Sequence, residues 1–365
     1  MTAIKTIGIL TGGGDCPGLN AAIRGIGKAA LTKGGIDIIG IEDGYQGLIE
    51  NRTKKLGVED LSGILSRGGT ILGTNNRCAP ERYYTGKDSD GNAVYENAID
   101  KCMATVESNN IDALFVIGGD GTFTCTAPLI EQGLPCIGIP KTIDNDIYGT
   151  DITIGYTTAT RVGTMALDRL HSTGDSHQRV MVCELMGRNA GWLTLASGIA
   201  SGSDVILIPE IPYDIEKICD FVSQRKDDHS GFSIIACAEG SHACNGSKIV
   251  SERIETSPDP IRLGGIGRQV AYDIEQRTGI ESRTTALGHI QRGGEPSSVD
   301  RLLATTFATA AFGCALEGDF NKMVVLKDGH IGTQPILDAA HKQRLVPLDS
   351  RFITSARAVR TCFGD

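Results

Sequence analysis

Short runs of aliphatic and β-branched residues recur along the chain, and most of them end in glycine or an acidic residue before a helical pattern begins. The runs lie at 6–10, 36–44, 111–121, 135–146, 179–188, 204–210 and 232–240. Continuous apolar runs that alternate with helical segments are typical of parallel strands covered by helices on both faces. The pattern therefore predicts an α/β fold built from doubly wound, mainly parallel sheets.

Two sets of these runs follow one another without a linker between them. They lie before and after about residue 150, and the stretch that follows Asp146 has the spacing of one long helix. A chain of 365 residues is too long for one ordinary core and suits two or three packed units. We therefore expect two similar doubly wound lobes, with a surface insertion at 85–101.

The composition narrows the classes of partner. The net charge of −9 leaves the chain without the general basic field of a nucleic-acid-binding protein. No apolar stretch approaches the ~18 residues of a membrane span, and the N-terminus lacks the features of a signal peptide. The 11 cysteines include no CxxC pair, which suits reduced thiols. We expect a cytoplasmic protein that binds neither nucleic acid nor membrane.

The predicted carboxyl ends of the strands carry the candidate chemistry, and the ligands of such sheets bind at those ends. The first candidate is TGGGDCPGLN at 11–20, where three glycines between a strand and a helix free backbone N–H groups to face an anion. This segment matches neither the Walker pattern nor the GxGxxG fingerprint, which disfavours NAD. An ordinary strand-to-helix turn is the alternative.

The second candidate is IGGDGT at 117–122, which closes the most apolar run of the chain. Asp120 stands where a Mg²⁺ ion that bridges phosphates would need a carboxylate. Mg²⁺ commonly takes one or two carboxylates together with phosphate oxygens and waters. The alternative is again a turn, with an aspartate near a helix cap.

The third candidate is IPKTIDND at 139–146, a polar cluster directly after an apolar strand. Thr142, Asp144 and Asp146 alternate, so in an extended segment all three side chains would face one side. One carboxylate could remove a proton from an attacking hydroxyl while another is held by hydrogen bonds. A polar loop is the alternative for an isolated Asp-x-Asp.

Separated arginines and one glutamate complete the candidates. Four arginines stand beside a predicted strand end or a glycine turn, namely Arg179, Arg188, Arg283 and Arg292. A planar, always charged guanidinium suits phosphate, although each arginine alone is compatible with a structural role. Glu239 stands at a strand end, where its carboxylate could bind sugar hydroxyls. Together the motifs predict phosphoryl transfer between two phosphorylated small molecules, a reaction dominated by positioning and charge neutralisation.

The order of these motifs resembles that of the 6-phosphofructokinase family. The matching blocks run from about residue 5 to about residue 340 and read TGGGDCPGLNAAIRG, GGTILGTNNRC, IGGDGT, PKTIDNDIYGTDITIGYTTA, SHQR, MGRNAG, AEG and LGHIQRGG. The resemblance implies Mg²⁺-dependent phosphoryl transfer from ATP to the 1-hydroxyl of fructose 6-phosphate in a homotetramer. It implies a phosphoryl-donor lobe at 1–155 plus about 291–345, a fructose 6-phosphate lobe at about 156–290, and a C-terminal segment at 346–365.

The resemblance also implies a role for each matching residue. The donor would be bound by Gly13, Gly14, Arg77, Cys78, Gly118, Gly119, Asp120, Gly121 and Thr122, with Asp120 serving the metal. Asp144 would be the base, with Thr142 and Arg188 at the reacting centre and Asp146 supporting the same loop. The sugar phosphate would be held by Thr142, Asp144, Met186, Gly187, Arg188, Glu239, His289 and Arg292, with Arg179 and Arg283 reaching in from a neighbouring subunit.

Gly121 and Lys141 bear on the donor, and they disagree. Pyrophosphate users of the family typically place Asp where this chain has Gly121, and that carboxylate would crowd and repel the α-phosphate of a nucleotide. Lys141, in contrast, is the pyrophosphate users' residue where typical bacterial ATP users have glycine. The combination resembles the mixed-substrate branch of the family, whose ATP users carry both. We predict ATP, because space for the nucleotide is a steric condition, and keep pyrophosphate as the alternative.

Regulation is a second departure from the family pattern. The basic effector pocket of regulated bacterial members would retain Arg24 in this chain, with Lys28 as a substitute for another of its cations. His171 and the pair Asp227 and Asp228 stand where the pattern expects further cations. Loss of positive charge should weaken anion binding there, so we expect an altered response to the usual effectors.

Two other functions are more distant alternatives. A non-enzymatic regulator that binds sugar phosphates would be expected to have lost the base or the metal ligand, yet Asp144 and Asp120 are both present. A nicotinamide oxidoreductase is disfavoured because the dinucleotide fingerprint is missing.

Overall fold

The computed structural model describes residues 4–227, 231–254 and 260–365, so that Asp228 lies outside the described residues. The strands are β1 (Thr6–Thr11), β2 (Asp37–Ile41), β3 (Thr53–Lys55), β4 (Tyr83–Lys87), β5 (Ala93–Glu96), β6 (Ala113–Gly118), β7 (Cys136–Thr142), β8 (Ile154–Gly155), β9 (Val180–Leu185), β10 (Val205–Leu207), β11 (Ser233–Ala238), β12 (Val250–Arg253), β13 (Ile261–Leu263), β14 (Ser282–Ala286), β15 (Lys322–Lys327) and β16 (His330–Pro335). The helices are α1 (Leu19–Lys33), α2 (Tyr45–Glu50), α3 (Ile99–Ser108), α4 (Asp120–Glu131), α5 (Tyr156–His177), α6 (Trp192–Ala200), α7 (Ile215–Asp227), α8 (Ile266–Thr278), α9 (Ser298–Glu317), α10 (Ile336–Ala339) and α11 (Arg351–Ala358). Short 3₁₀ helices occur at Pro80–Arg82 and Gly288–Arg292.

The first sheet has the strand order β16-β15-β7-β6-β1-β2-β3, with β8 paired to β7. The strands from β15 to β2 run parallel, and β3 and β16 are antiparallel edges. In this sheet β1 pairs with β2 on one side and with β6 on the other, so the strand order reverses between β1 and β6. In doubly wound sheets a ligand crevice forms at the carboxyl ends of the strands where the order reverses.

The second sheet has the order β10-β11-β9-β14, and its strands are all parallel. Side chains of α5 and α6 pack in the core on one face, and those of α7 and α8 pack in the core on the other. The predicted α/β class with two doubly wound, mainly parallel sheets is confirmed. The stretch predicted as a surface insertion forms the β4–β5 hairpin and the first turn of α3.

Helix α9 is the helix of the described ranges that is long and apolar enough, by length and composition, to cross a membrane. Its residues Leu303, Phe307 and Ala311 are nevertheless buried in the first core, and the helix packs along α1. A Cβ added at Gly25 of α1 would lie 2.5 Å from the Cβ of Ala308, so glycine permits this close approach. The helix therefore serves as a core helix of the first lobe.

The fully buried carboxylate of Asp300 joins α9 to the beginning of α5. Its Oδ1 accepts a hydrogen bond from the backbone N–H of Gly155 at 2.9 Å. Its Oδ2 accepts from the N–H and the hydroxyl of Thr158 at 2.7 and 2.5 Å. The first N–H groups of a helix have no partner within the helix, and an anion there is also favoured by the helix dipole. Asp300 therefore caps α5 from a different part of the chain.

We expect Asp300→Ala to lower the free energy of unfolding by about 2–4 kcal/mol, because it leaves buried N–H groups without acceptors. Urea unfolding followed by circular dichroism measures this difference. Asp168→Ala, on the exposed face of α5, is the matched control and should stay within about 0.5 kcal/mol of the wild type. A loss below about 1 kcal/mol for Asp300→Ala would contradict the capping role.

Candidate active site

A cavity of about 500 Å³ opens where β1, β6 and β7 end. The predicted residues that line it are Gly13, Gly14, Cys78, Gly119, Asp120, Gly121, Thr122, Lys141, Thr142, Asp144 and Arg292. Tyr45, Arg82 and Cys125 also line it, although no sequence signal pointed to them. The wall of the cavity therefore combines glycine backbone with acidic and basic side chains.

The glycine loop after β1 packs closely against its surroundings. Gly12 N–H donates to the carbonyl of Ile117 at 2.9 Å, which ties the loop to the end of β6. Gly13 has a φ of 76°, a left-handed conformation that glycine adopts without strain. A Cβ at Gly14 would lie 1.8 Å from Nη1 of Arg292. The missing side chain at Gly14 therefore lets the Arg292 guanidinium rest against the loop.

Lys141 holds the same glycine loop through two hydrogen bonds. Its ammonium group donates to the carbonyl oxygens of Gly12 and Gly14 at 3.0 and 2.5 Å, and the side chain is buried. Burial lowers the pKa of Lys141, and Cys16 opposes that shift. The position that the sequence associated with donor choice is thus engaged with backbone carbonyls of the glycine loop.

The loop between β6 and α4 packs around Thr122. A Cβ at Gly118 would lie 2.4 Å from the Thr122 side chain, and one at Gly12 would lie 2.5 Å from it, so both glycines are needed for this contact. The buried hydroxyl of Tyr45 donates to the Thr122 carbonyl at 2.9 Å. Gly121 faces the opposite situation, since a Cβ there would meet no atom within 4 Å.

The segment after β7 bends, and the expectation of an extended segment is wrong here. Strand β7 ends at Thr142, and the N–H of Asp144 donates back to the Thr142 hydroxyl at 3.1 Å. Asn145 then adopts a left-handed φ of 54°, which an asparagine tolerates better than most residues. Hydrogen bonds of the side chain hold that conformation, because the Asn145 amide donates to the Asp151 carbonyl at 3.2 Å. The aspartates are therefore brought together by a turn and not by strand alternation.

Asp120, Asp144 and Asp146 lie within electrostatic range of one another. Burial raises the pKa of Asp144; Arg292 opposes this rise and Asp120 adds to it. Burial likewise raises the pKa of Asp146, and the charges of Asp144 and Asp120 raise it further. The charge of Asp120 thus makes ionisation of Asp144 and Asp146 more costly, and the charge of Asp144 does the same for Asp146.

The chemistry of the carboxylates fits Mg²⁺, which commonly takes few protein ligands. Within the described ranges, no three His, Cys, Asp or Glu side chains lie close enough to hold a metal ion by themselves. Oδ1 of Asp144 is buried without a hydrogen-bond partner among the described residues. Oδ2 of Asp120 and Oδ2 of Asp146 accept from one amide nitrogen of Gln343, at 3.0 and 3.3 Å. One or two carboxylates completed by phosphate oxygens and waters is the environment that Mg²⁺ prefers.

The ends of β9 and β11 form the other side of the site. Glu239 N–H donates to the Leu185 carbonyl at 2.8 Å, and Met186 N–H donates to Oε1 of Gln291 at 2.8 Å. Gly187 has a φ of 139°, which favours glycine. The Lys248 ammonium donates to the Arg188 carbonyl at 2.6 Å. These contacts hold the predicted sugar-phosphate residues of two adjacent strand ends side by side.

Charges connect this side with the aspartates. Burial raises the pKa of Glu239 to about 7; Asp144 adds to the rise and Arg292 opposes it. Burial and the charge of Arg262 lower the pKa of Arg188, while Glu239, Asp120 and Asp144 act in the opposite direction. Arg188 therefore lies within electrostatic range of the donor cavity and of Glu239 at the same time.

Arg179 and Arg283 both pair with Glu281, and neither lines the donor cavity. Nε of Arg179 lies 2.6 Å from Oε2 of Glu281, and the guanidinium of Arg283 pairs with the same carboxylate. Arg283 also lines a separate cavity of about 490 Å³, together with Glu184 and Arg268. In the single chain these arginines therefore belong to a different surface, and their action across a subunit border stays a prediction.

Two further predicted residues are exposed. Arg77 lies beside the donor cavity, where its N–H donates to the side chain of Asn75 at 2.6 Å. His289 is exposed on the 3₁₀ helix Gly288–Arg292, which also carries Arg292 into the cavity. Neither side chain lines the cavity, although Arg77 stands between Asn76 and Cys78, which do.

The comparisons with known proteins agree with this geometry. A family model described as phosphofructokinase matches residues 6–315. The chain is 49% identical to the ATP-dependent 6-phosphofructokinase of Spirochaeta thermophila, and the match covers 100% of this chain and 98% of that protein. It is 43% identical to the pyrophosphate–fructose 6-phosphate 1-phosphotransferase of Streptomyces coelicolor, over 93% of this chain and 96% of that protein.

The fold of the chain is similar to that of a solved phosphofructokinase. The crystal structure of Pichia pastoris phosphofructokinase in the T-state matches with a TM-score of 0.79 and 31% identity. The match covers 93% of this chain and 38% of that longer chain. The family model spans most of the sequence, and the match to the Spirochaeta thermophila protein extends over the whole chain. The chain therefore belongs to the phosphofructokinase family.

Proposed function

We propose that the chain transfers the terminal phosphoryl group of ATP to the 1-hydroxyl of fructose 6-phosphate, giving ADP and fructose 1,6-bisphosphate. The observation that carries this proposal is Asp144, which lines the donor cavity, has a buried Oδ1 without a hydrogen-bond partner among the described residues, and lies within electrostatic range of Glu239. The relative named as an ATP-dependent 6-phosphofructokinase, 49% identical over the whole chain, supports the same reaction.

Asp144 has the position and the environment of a general base. It accepts the proton of the sugar 1-hydroxyl as the new O–P bond forms and the bond to ADP breaks. Burial raises its pKa, which brings a carboxylate closer to the pH at which a base works best. Arg188 and Arg292 both act on Asp144, and their positive charges also suit the charge that spreads over the transferred group.

Asp120 is the residue that would hold Mg²⁺, with Asp146 beside it. When bound, Mg²⁺ supplies the positive charge that neutralises the phosphates of the donor. Asp120 suits this task because it begins α4 and faces the cavity that the glycine loop lines. The backbone of that loop and the Thr122 side chain bind and orient the donor.

The donor is ATP in this proposal, with pyrophosphate as the second candidate. Open space at Gly121 leaves room for the nucleotide. Lys141 is committed to the carbonyls of Gly12 and Gly14, which weakens it as a signal for pyrophosphate. The second candidate rests on the pyrophosphate-named relative at 43% identity.

The remaining assignments extend the same proposal. Met186, Gly187, Arg188, Glu239, His289 and Arg292 hold fructose 6-phosphate in the lobe at about 156–290, and the donor binds in the lobe formed by 1–155 and about 291–345. Arg179 and Arg283 act across a subunit border in a cytoplasmic homotetramer. Support for this last point is that both guanidinium groups gather at one partly exposed acidic residue, Glu281, from which a substrate phosphate could draw them.

We expect turnover of fructose 6-phosphate with Mg²⁺ and ATP, and little with pyrophosphate, in a coupled assay of fructose 1,6-bisphosphate. Asp144→Asn should lower kcat by about 10²–10⁴-fold, because it removes the base while keeping the size of the side chain. The exposed Asp168→Asn is the control and should be unaffected. Retention of more than about a tenth of the turnover by Asp144→Asn would argue against its role.

Gly121→Asp should lower kcat/KM for ATP by at least about tenfold, because a carboxylate would repel the nucleotide phosphates. Its Cβ would meet open space, so folding should be preserved and the KM for fructose 6-phosphate unchanged. Gly121→Ala tests size without charge, and Gly313→Asp places the same residue in open space on α9. Initial-rate kinetics decide the matter, and unaltered ATP kinetics in Gly121→Asp would refute the steric argument for the donor.

Glu239→Gln should make the fold more stable at pH 8 and weaken sugar binding. The pKa of Glu239 is raised from 4.5 to about 7 in the folded chain, so the unfolded chain releases this proton first. The free energy of unfolding of the wild type therefore falls as the pH rises from 4.5 to about 7. The neutral amide of Glu239→Gln avoids this loss, which amounts to about 1–3 kcal/mol after allowance for partial exposure. Urea unfolding at pH 4.5 and 8 measures this gain, which should vanish at the lower pH. A gain that is equal at both pH values would show that ionisation of Glu239 is not its cause.

A further inference from the structure

The segment at 341–346, here called the C-terminal strap, lies directly against the catalytic loop after β7. Gln343 forms an isolated antiparallel bridge with Ile147, and Arg344 N–H donates to the Asp146 carbonyl at 2.7 Å. The Arg344 guanidinium donates to the Asn145 carbonyl at 3.2 Å. The strap therefore satisfies the backbone of the turn that positions the aspartates.

Gln343 also reaches the aspartates with its side chain. Its amide nitrogen lies 3.0 Å from Oδ2 of Asp120 and 3.3 Å from Oδ2 of Asp146. A side-chain amide carries two N–H groups, so one nitrogen can donate to both carboxylates at once. The two residues come from different strand ends, β6 and β7, and the amide is the described group that bridges them. Because the donor is neutral, it holds the pair together without contributing a full positive charge.

The other end of the strap is anchored in the second lobe. The Arg344 guanidinium lies 4.1 Å from the ring centroid of Trp192, and the indole N–H donates to the Arg344 carbonyl at 2.9 Å. Val346 N–H donates to Oε1 of Glu210 at 2.8 Å, and the same carboxylate accepts from Gly191 N–H at 3.0 Å. Hydrogen bonds at both ends of the strap therefore connect the aspartates, through the adjacent residues Gln343 and Arg344, with the first turn of α6.

We infer that Gln343 is a positioning residue for phosphoryl transfer, which holds Asp120 and Asp146 at the spacing that a Mg²⁺–nucleotide complex then uses, and that the strap transmits occupancy of this site to Trp192. The inference rests on the proposed function for the identity of the metal-bound donor. Hydrogen-bonded partners of metal-ligating carboxylates typically change metal affinity or activity by about 10–100-fold when they are removed. Gln343 is such a partner, placed by the tertiary structure alone.

Gln343→Met tests the inference, because methionine keeps the length of the side chain and removes both N–H groups. We expect the half-saturating concentration of free Mg²⁺ to rise by about 10–100-fold at fixed ATP and fructose 6-phosphate. A second readout needs no turnover: the emission of Trp192, the 1 tryptophan of the chain, during titration with MgCl₂ at fixed ATP without sugar phosphate. The wild type should show a Mg²⁺-dependent change in emission, and its midpoint in Gln343→Met should shift by the same factor.

Gln269→Met is the matched control. Gln269 also donates its amide to an aspartate, Asp273, at 3.0 Å, but on the exposed face of α8. Gln269→Met should leave both Mg²⁺ midpoints unchanged. This result would show that loss of any glutamine–aspartate contact is not sufficient to shift the midpoints. If Gln343→Met does not fold, the titration of the wild type tests the inference. A Trp192 emission that does not change with Mg²⁺ at saturating ATP overturns it.

The outcomes separate the inference from the proposed function. Unchanged Mg²⁺ midpoints in a folded Gln343→Met, beside normal wild-type turnover, would overturn the role of Gln343 and leave the reaction in place. A wild type and a Gln269→Met that both fail to phosphorylate fructose 6-phosphate with ATP would overturn the proposed function and, with it, the inference. A shift of both midpoints confined to Gln343→Met supports the inference.

Discussion

Repulsion among three neighbouring aspartates is the interaction on which the rest of the site depends. Asp120, Asp144 and Asp146 follow two adjacent strands, and burial together with the neighbouring carboxylates raises the pKa of Asp144 and Asp146. Like charges in a medium of low effective dielectric constant repel strongly, so such a cluster requires donors and cations around it. Arg292 supplies positive charge, and Gln343 supplies hydrogen bonds that add none. This balance of charge is the basis on which we propose a cation site at the aspartates.

The backbone around these aspartates approaches neighbouring side chains closely where the chain has glycine. At Gly14 a Cβ would collide with Arg292, and at Gly118 it would collide with Thr122, so each glycine allows a polar side chain to come close. Lys141 then holds the carbonyls of the glycine loop from its buried side. An ammonium group in this place serves the shape of the loop, and this gives a structural reason for a lysine at a position otherwise associated with donor choice.

The two lobes are joined by charged groups that lie inside the fold. Asp300 of α9 caps α5, and the strap at 341–346 ties the catalytic loop to Trp192 and Glu210. Buried polar links of this kind cost desolvation and are tolerated when every member is paired. They also mean that the geometry of Asp144 and Asp120 depends on residues far away in the sequence. A site for two substrates on two lobes needs such links if the reacting atoms are to meet in a fixed geometry.

The sequence by itself determined the fold class, the strand ends that carry the chemistry and the family resemblance, since apolar runs, glycine loops and the aspartates after β7 are local signals. The tertiary structure decided the contacts that no local pattern encodes. Gln343 lies 197 residues beyond Asp146 in a stretch without a motif, so only the packing of the strap brings it to the carboxylates. The extended segment expected after Thr142 is a turn, because Asn145 takes a left-handed conformation that hydrogen bonds from the surrounding fold stabilise. Local periodicity predicts which residues lie at an edge of the sheet. The partners that hold them there depend on three-dimensional packing, because packing brings together residues that are far apart in the chain.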